Sequence, residues 1–202
     1  SGREMRGKED PVLRQAARLA RQGLHEQAAA LCSRAVAADP ADARAYSLRA
    51  EAYRCCGKHD LALADLDVLV ELSGSDPEAL LSRGEGRRHL LDLEGALADA
   101  AAVLKKNPRS AGAWVLRSEC QRNKGSFAAA VASAGRAVAA DPGYSWAFIV
   151  RAKARRQEGD LDAALADTKA AEEASPQDAY AQGWRGEILR KAGRPKEALR
   201  AL

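Results

Sequence analysis

Residues 111–144 read AGAWVLRSECQRNKGSFAAAVASAGRAVAADPGY, and this stretch decides the fold. Apolar residues recur at helical spacing on both sides of Gly125, and the stretch closes on Asp141-Pro142. A glycine in mid-block suits a helix C-terminus that needs φ > 0. Asp-Pro ends a helix and turns the chain. The stretch is therefore two helices joined by a tight turn and followed by a second turn.

Working outward, the same pattern returns every 34 residues. Pro40, Pro108, Pro142 and Pro176 keep the step, and alanines hold it without a miss at 28, 62, 96, 130, 164 and 198. Arginines keep it twice, at 49, 83, 117, 151 and 185 and again at 54, 88, 122, 156 and 190. The blocks run at about 9–42, 43–76, 77–110, 111–144 and 145–178, with a sixth at 179–202 that stops inside its second helix. Two blocks depart from the pattern. In the second, Ser73-Gly74-Ser75 precedes Asp76-Pro77, so the linker is expected to be reshaped, with Asp76 as N-cap and Pro77 at the first helical position. In the third, Leu91 stands where the others carry glycine. Residues 1–8 are polar and glycine-interrupted and read as a flexible leader or an expression scar.

These blocks resemble the tetratricopeptide repeat. The fourth carries the resemblance in Trp114, Ser118, Gly125, Phe127, Ala130, Ala137 and Pro142. The match is nearest to the variant with Arg-Gly/Ala in the first helix and Ala-Leu-x-Asp in the second. Arg49 with Asp65, Arg83 with Asp99, and Arg151 with Asp167 show that variant and are expected to pair between helices. Arg117 faces Ser133 instead, and the first block has neither charge. The resemblance implies an all-α, right-handed superhelical solenoid of antiparallel helix pairs, whose concave groove holds extended peptides.

Composition agrees with that class. Forty-six alanines against nine aromatics favour closely packed helices over a β-sandwich or barrel. The net charge of +4 is the small difference between 32 basic and 28 acidic residues, which argues against a nucleic-acid partner. No apolar run reaches the length of a membrane span. Cys32, Cys55, Cys56 and Cys120 have no metal-ligand spacing and read as reduced, mostly buried thiols, which points to a cytoplasmic chain unless a signal segment has been removed.

Helical spacing separates two stripes on each first helix. Tyr46, Ala50 and Tyr53 face the paired helix, where the registered alanine implies a contact too tight for a longer side chain. The other stripe holds Glu51 and Arg54, Glu85 and Arg88, Glu119 and Arg122, Lys153 and Arg156, and Glu187 and Arg190. In proteins this chain resembles, that stripe lines the groove. Its plain alternative is a set of i,i+3 pairs on a solvated face, each contributing about 0.2–0.5 kcal/mol. Trp146, Ile149, Tyr180 and Trp184 add an apolar patch beside Lys153 and Arg156, suited to an aliphatic side chain and a carboxylate. The tryptophans could equally pack between repeats, whereas Trp114 reads as core.

The sequence carries no recognisable catalytic motif. No HExxH, GxSxG or P-loop spacing occurs, and Gly84-Glu85-Gly86 sits inside a helix without a third glycine. His25 and His59 hold one block position at the bend between paired helices, and His89 ends a first helix. Neither a catalytic site nor a cofactor is expected. Leu81, Glu85, Leu116 and Glu119 replace the lysines and asparagines with which related arrays clamp heat-shock chaperone tails, arguing against that partner. The expected function is a protein–protein interaction scaffold. Its alternatives are the recognition arm of a larger enzyme or co-chaperone, and an array that self-associates through its truncated end.

Overall fold

A computed structural model describes residues 10–177 and 179–194. They form eleven helices: α1 (Pro11–Arg21), α2 (His25–Ala38), α3 (Ala43–Cys55), α4 (His59–Leu72), α5 (Pro77–His89), α6 (Leu93–Lys106), α7 (Ala111–Asn123), α8 (Phe127–Ala140), α9 (Ser145–Glu158), α10 (Leu161–Ala174) and α11 (Ala179–Lys191). The described residues contain no strand. Helix starts follow the sequence signals. Asp76 accepts from the Glu78 and Ala79 amides with Pro77 at the first helical position, and Asp10, Asp42, Ser110 and Asp160 cap α1, α3, α7 and α10. The mid-block glycines Gly23, Gly57, Gly125, Gly159 and Gly193 all take positive φ. At Gly57 the following amide of Lys58 returns to the Tyr53 carbonyl at 2.9 Å, closing the helix end.

The third block makes the same turn without glycine. Leu91 adopts φ 63 and stays 73 % exposed, and the Asp92 amide reaches the Arg87 carbonyl at 2.9 Å. The reshaped linker of the second block places both Gly74 and Ser75 at positive φ. The chain divides into two compact units, 1–92 and 93–202, and the division falls directly after the Leu91 turn.

Within each unit neighbouring helices pack in thin, alanine-rich seams. In the first unit Ala50, Ala62 and Leu66 form one such seam, and Leu13, Ala16, Cys32, Ala35 and Ala45 another. In the second, Trp114, Val115, Ala134, Ala137, Ala147 and Val150 form the largest, and the Trp114 indole donates to the Pro108 carbonyl at 2.9 Å. The registered alanines 28, 62, 96, 130 and 164 are all buried, and Ala198 lies outside the described residues. Paired helices run antiparallel: Arg151 on α9 reaches Asp167 on α10, while Arg155, one turn on, reaches the Ala163 carbonyl, one turn back.

Two of the expected arginine–aspartate pairs form within single units. Arg49 grips Asp65 with both ends of its guanidinium, at 2.8 and 2.7 Å, and donates to Ser33 on α2 at 3.1 Å. One side chain thus ties three consecutive helices. Arg151 grips Asp167 in the same way, and Arg155 joins at 2.9 Å. Asp65 and Asp167 are nearly fully buried, so removing either would strand a desolvated cation. Arg83 meets Asp67 on α4 at 3.2 Å, and its expected pairing with Asp99, which would span the two units, stays an expectation. In the fourth block the Ser133 hydroxyl donates to the Gln121 Oε1 at 2.7 Å, and Arg117 lies over the Trp114 ring.

The buried alanines predict that Ala130→Leu overpacks the α7–α8 seam and destabilises the chain by about 1–3 kcal/mol. Urea melts measure it; an unchanged midpoint would show that the seam has room.

Candidate functional site

In the first unit the predicted stripe lines a real concavity. A pocket of about 450 Å³ opens between α3, α4 and α5. Ala50, Ala62 and Leu66 supply apolar lining, Ser47 and Ser82 small polar lining, and Glu51, Arg54 and Glu85 charge. The charged residues pair along their own helices. Arg54 meets Glu51 at 2.8 and 2.5 Å, and Arg88 meets Glu85 at 2.9 and 2.8 Å. The Arg54 hydrogen bonds hold the Glu51 carboxyl below its usual range. Gly86 also lines the pocket, and a Cβ there would sit 3.2 Å from the Leu66 Cδ1.

Two lining residues had no assigned role in the sequence. The rings of His59 and His89 stack 5.5 Å apart and only 4° from parallel, and both line the pocket. The Arg88 Nη2 lies 3.4 Å from the His89 Nε2. Partial burial and the neighbouring Arg88 charge hold the His89 imidazole below the ordinary histidine range. The available signal was positional: a histidine at the start of one second helix and another at the end of the next first helix.

The second unit treats the same stripe differently. Glu119 is 3 % exposed, with Arg122 at 3.3 Å and Lys153 at 3.5 Å. The Lys153 ammonium lies 4.7 Å from the Trp146 ring centre and 5.2 Å from that of Trp184. Arg156 lies 4.7 Å over Trp184 and pairs with Glu187 on α11. Glu119 with Arg122 and Lys153, and Arg156 with Glu187, thus engage one another, while the buried Nε atoms of Arg122 and Arg156 find no hydrogen-bond partner among the described residues. Ile149 corrects the expected patch: it is fully buried against Ala171 and Ala181, because its place on α9 turns it into the seam with α10 and α11. Trp146 and Trp184 are half-buried and pack on that same seam, so packing claims both. Arg190 is exposed near the end of α11, and the Tyr180 side chain lies outside the described residues.

The 34-residue step explains the contrast. Three periods after Ser47, Ser82 and Gly86 stand Ile149, Trp184 and Ile188. The small residues leave the α3–α5 pocket open, whereas Ile149 and Ile188 are fully buried and Trp184 partly so.

Among the described residues no cluster of three or more His, Cys, Asp or Glu residues is placed to hold a metal. All four cysteines are reduced thiols. Cys32 and Cys120 are buried, while Cys55 is exposed and Cys56 only partly covered, so burial holds for two of the four. Burial pushes the Cys32 thiol up to about 11. No described helix is long and apolar enough to cross a membrane.

A sequence model of the tetratricopeptide repeat matches residues 13–77, 81–145 and 149–202. No curated protein matches the chain significantly. Many solved structures share its fold. A tetratricopeptide-repeat protein from Parabacteroides merdae is 20 % identical at a TM-score of 0.83, over 94 % of this chain and 74 % of that one. The Thermus thermophilus protein TTC0263 is 24 % identical at 0.75, over 89 % and 97 %. YrrB, described as having an unusual peptide-binding site, is 19 % identical at 0.59, over 86 % and 90 %.

The lowered His89 titration fixes a sign for pH. The fold favours the neutral ring, so its contribution is complete above the ordinary histidine pKa of about 6.5 and is lost as pH falls below that value. The urea midpoint is expected to drop between about pH 7 and 5, and to drop less in His89→Gln. Equal pH slopes for the two proteins would contradict it.

Proposed function

The chain belongs to the tetratricopeptide-repeat family, and on that footing we propose that it binds an extended segment of a partner protein in the α3–α5 pocket of its first unit. The family serves in general as a protein–protein interaction scaffold, and its arrays are generally non-catalytic. The observation that carries the finer reading is the pocket itself. A concavity of about 450 Å³ with apolar lining and a few polar groups has the character of a binding site for side chains. Its charged residues are matched one to one within α3 and α5, so the pocket has little call on the charge of its occupant. Small apolar side chains would meet Ala50, Ala62 and Leu66, and backbone groups would meet the hydroxyls of Ser47 and Ser82. The peptide-binding site described for YrrB supports a peptide as the occupant of such a surface.

On this reading the scaffold acts by binding its partner.

The test follows from the repeat step. Ser47→Ile/Ser82→Trp gives the first unit the residues found three periods later. Both serines are exposed, so stability should change little. Peptides selected from a random displayed library on the wild-type chain are expected to bind the variant at least about tenfold more weakly, by fluorescence anisotropy. Equal affinity would place the peptide elsewhere and overturn the reading.

A further inference from the structure

The first-helix arginines of the first unit divide sharply by helix. On α3, Arg44, Arg49 and Arg54 each meet a carboxylate, at 2.8, 2.7 and 2.5 Å. On α5, Arg83, Arg87 and Arg88 do the same. On α1, Arg14, Arg18 and Arg21 meet none among the described residues, and the helix itself contains no acidic residue. They recur at i, i+4 and i+7, so they share one face and repel one another. The macrodipole accounts for Arg18 and Arg21, which lie in the last turn, but leaves Arg14 unexplained.

These three side chains line a second cavity, distinct from the α3–α5 pocket. It has a volume of about 830 Å³, opens between α1 and α3, and includes Leu13, Ala17 and Leu48 among its apolar lining. Two further charged groups at its edge are already engaged. Asp10 caps α1 through the Val12 amide, and Arg44 holds Asp42 in a two-point contact. Among the described residues no carboxylate meets Arg14, Arg18 or Arg21, which stand beside an apolar surface, the Arg21 Nε donating to the Ala17 carbonyl at 3.3 Å.

We propose that the α1–α3 cavity docks an acidic, extended peptide whose carboxylates alternate with apolar side chains. Arg14 and Arg21 are separated by a rise of about 10 Å along α1. An extended chain advances about 6.6 Å over two residues, so carboxylates two apart fall beside successive arginines. The intervening side chains point the other way, toward Leu48 on α3. Charge complementarity selects the partner, and relief of the repulsion between the arginines adds to binding. Single-stranded nucleic acid would meet the same charges, but no aromatic residue lines the cavity to stack a base.

The experiment titrates fluorescein-labelled peptides with the full chain, followed by anisotropy at low and at physiological salt. One peptide alternates Asp with Leu, a second alternates Asn with Leu, and an oligouridylate serves as the nucleic-acid probe. The Asp peptide is expected to bind and to weaken with salt, and the Asn peptide to bind at least about tenfold more weakly. Arg14→Gln/Arg18→Gln/Arg21→Gln should lose about tenfold or more, and Arg14→Gln alone about two- to threefold. The single variant decides the matter if the triple variant melts early. Lys105→Gln/Arg109→Gln/Lys169→Gln removes the same charge at exposed positions elsewhere and should bind as the wild type does. Equal binding by the α1 variants, equal binding of the Asn peptide, or oligouridylate that binds as tightly and competes would each overturn the proposal.

Discussion

The close approach of paired helices at a single registered alanine is the constraint on which the rest depends. With only a Cβ at 62, 96, 130 or 164, a second helix can settle against its first-helix partner without leaving a gap or forcing a side chain aside. That contact fixes how each first helix is rotated, and the rotation decides which stripe turns into the seam and which turns out of it. Arg49 and Arg151 then set the register along the helices, each holding a buried aspartate from the partner helix. Such pairs add little net stability, but a register slip would strand a buried charge. Position within the block is therefore a reliable guide to surroundings, and the groove stripe inherits its place from alanine.

A single stripe nevertheless has two fates. Around α3 and α5 the glutamates and arginines pair within their own helices and leave a pocket between them. Around α9 and α11 Lys153 lies between two indoles while Glu119 and Glu187 take up the neighbouring cations. The difference comes from side-chain volume at three block positions. Serine, serine and glycine in the first unit become isoleucine, tryptophan and isoleucine in the second. Stabilising contacts and an open binding surface compete for the same space, and each unit resolves that competition differently.

Much of this was legible in the sequence because a strict period reports local chemistry many times over. The paired helices, the mid-block turns, the Asp76-Pro77 start and the reshaped second linker all rest on caps and turn residues, which act within a few positions. The core role of Trp114 followed from its stripe. Burial at the edge of a seam was harder to read. Ile149 lies on the groove side by simple spacing, yet α11 covers it, and the spacing within α9 cannot contain that contact. The histidine stack joins residues 30 positions apart at opposite ends of two helices, beyond the reach of any local pattern. The missing glycine at Leu91 was visible, but the division of the chain beside it depends on packing on both sides.

Photo-crosslinking tests the central claim most directly. A library-selected peptide carrying a benzophenone side chain would be irradiated with the full chain and the adducts mapped by mass spectrometry. Adducts on α3 and α5 around Ser47, Glu51, Ser82 and His89 are the predicted result. The three tryptophans all lie in the second unit, so their fluorescence should stay unchanged through the same titration. Adducts centred on Trp146, Lys153 and Trp184, with a shift in that fluorescence, would contradict the account and return the binding surface to the second unit.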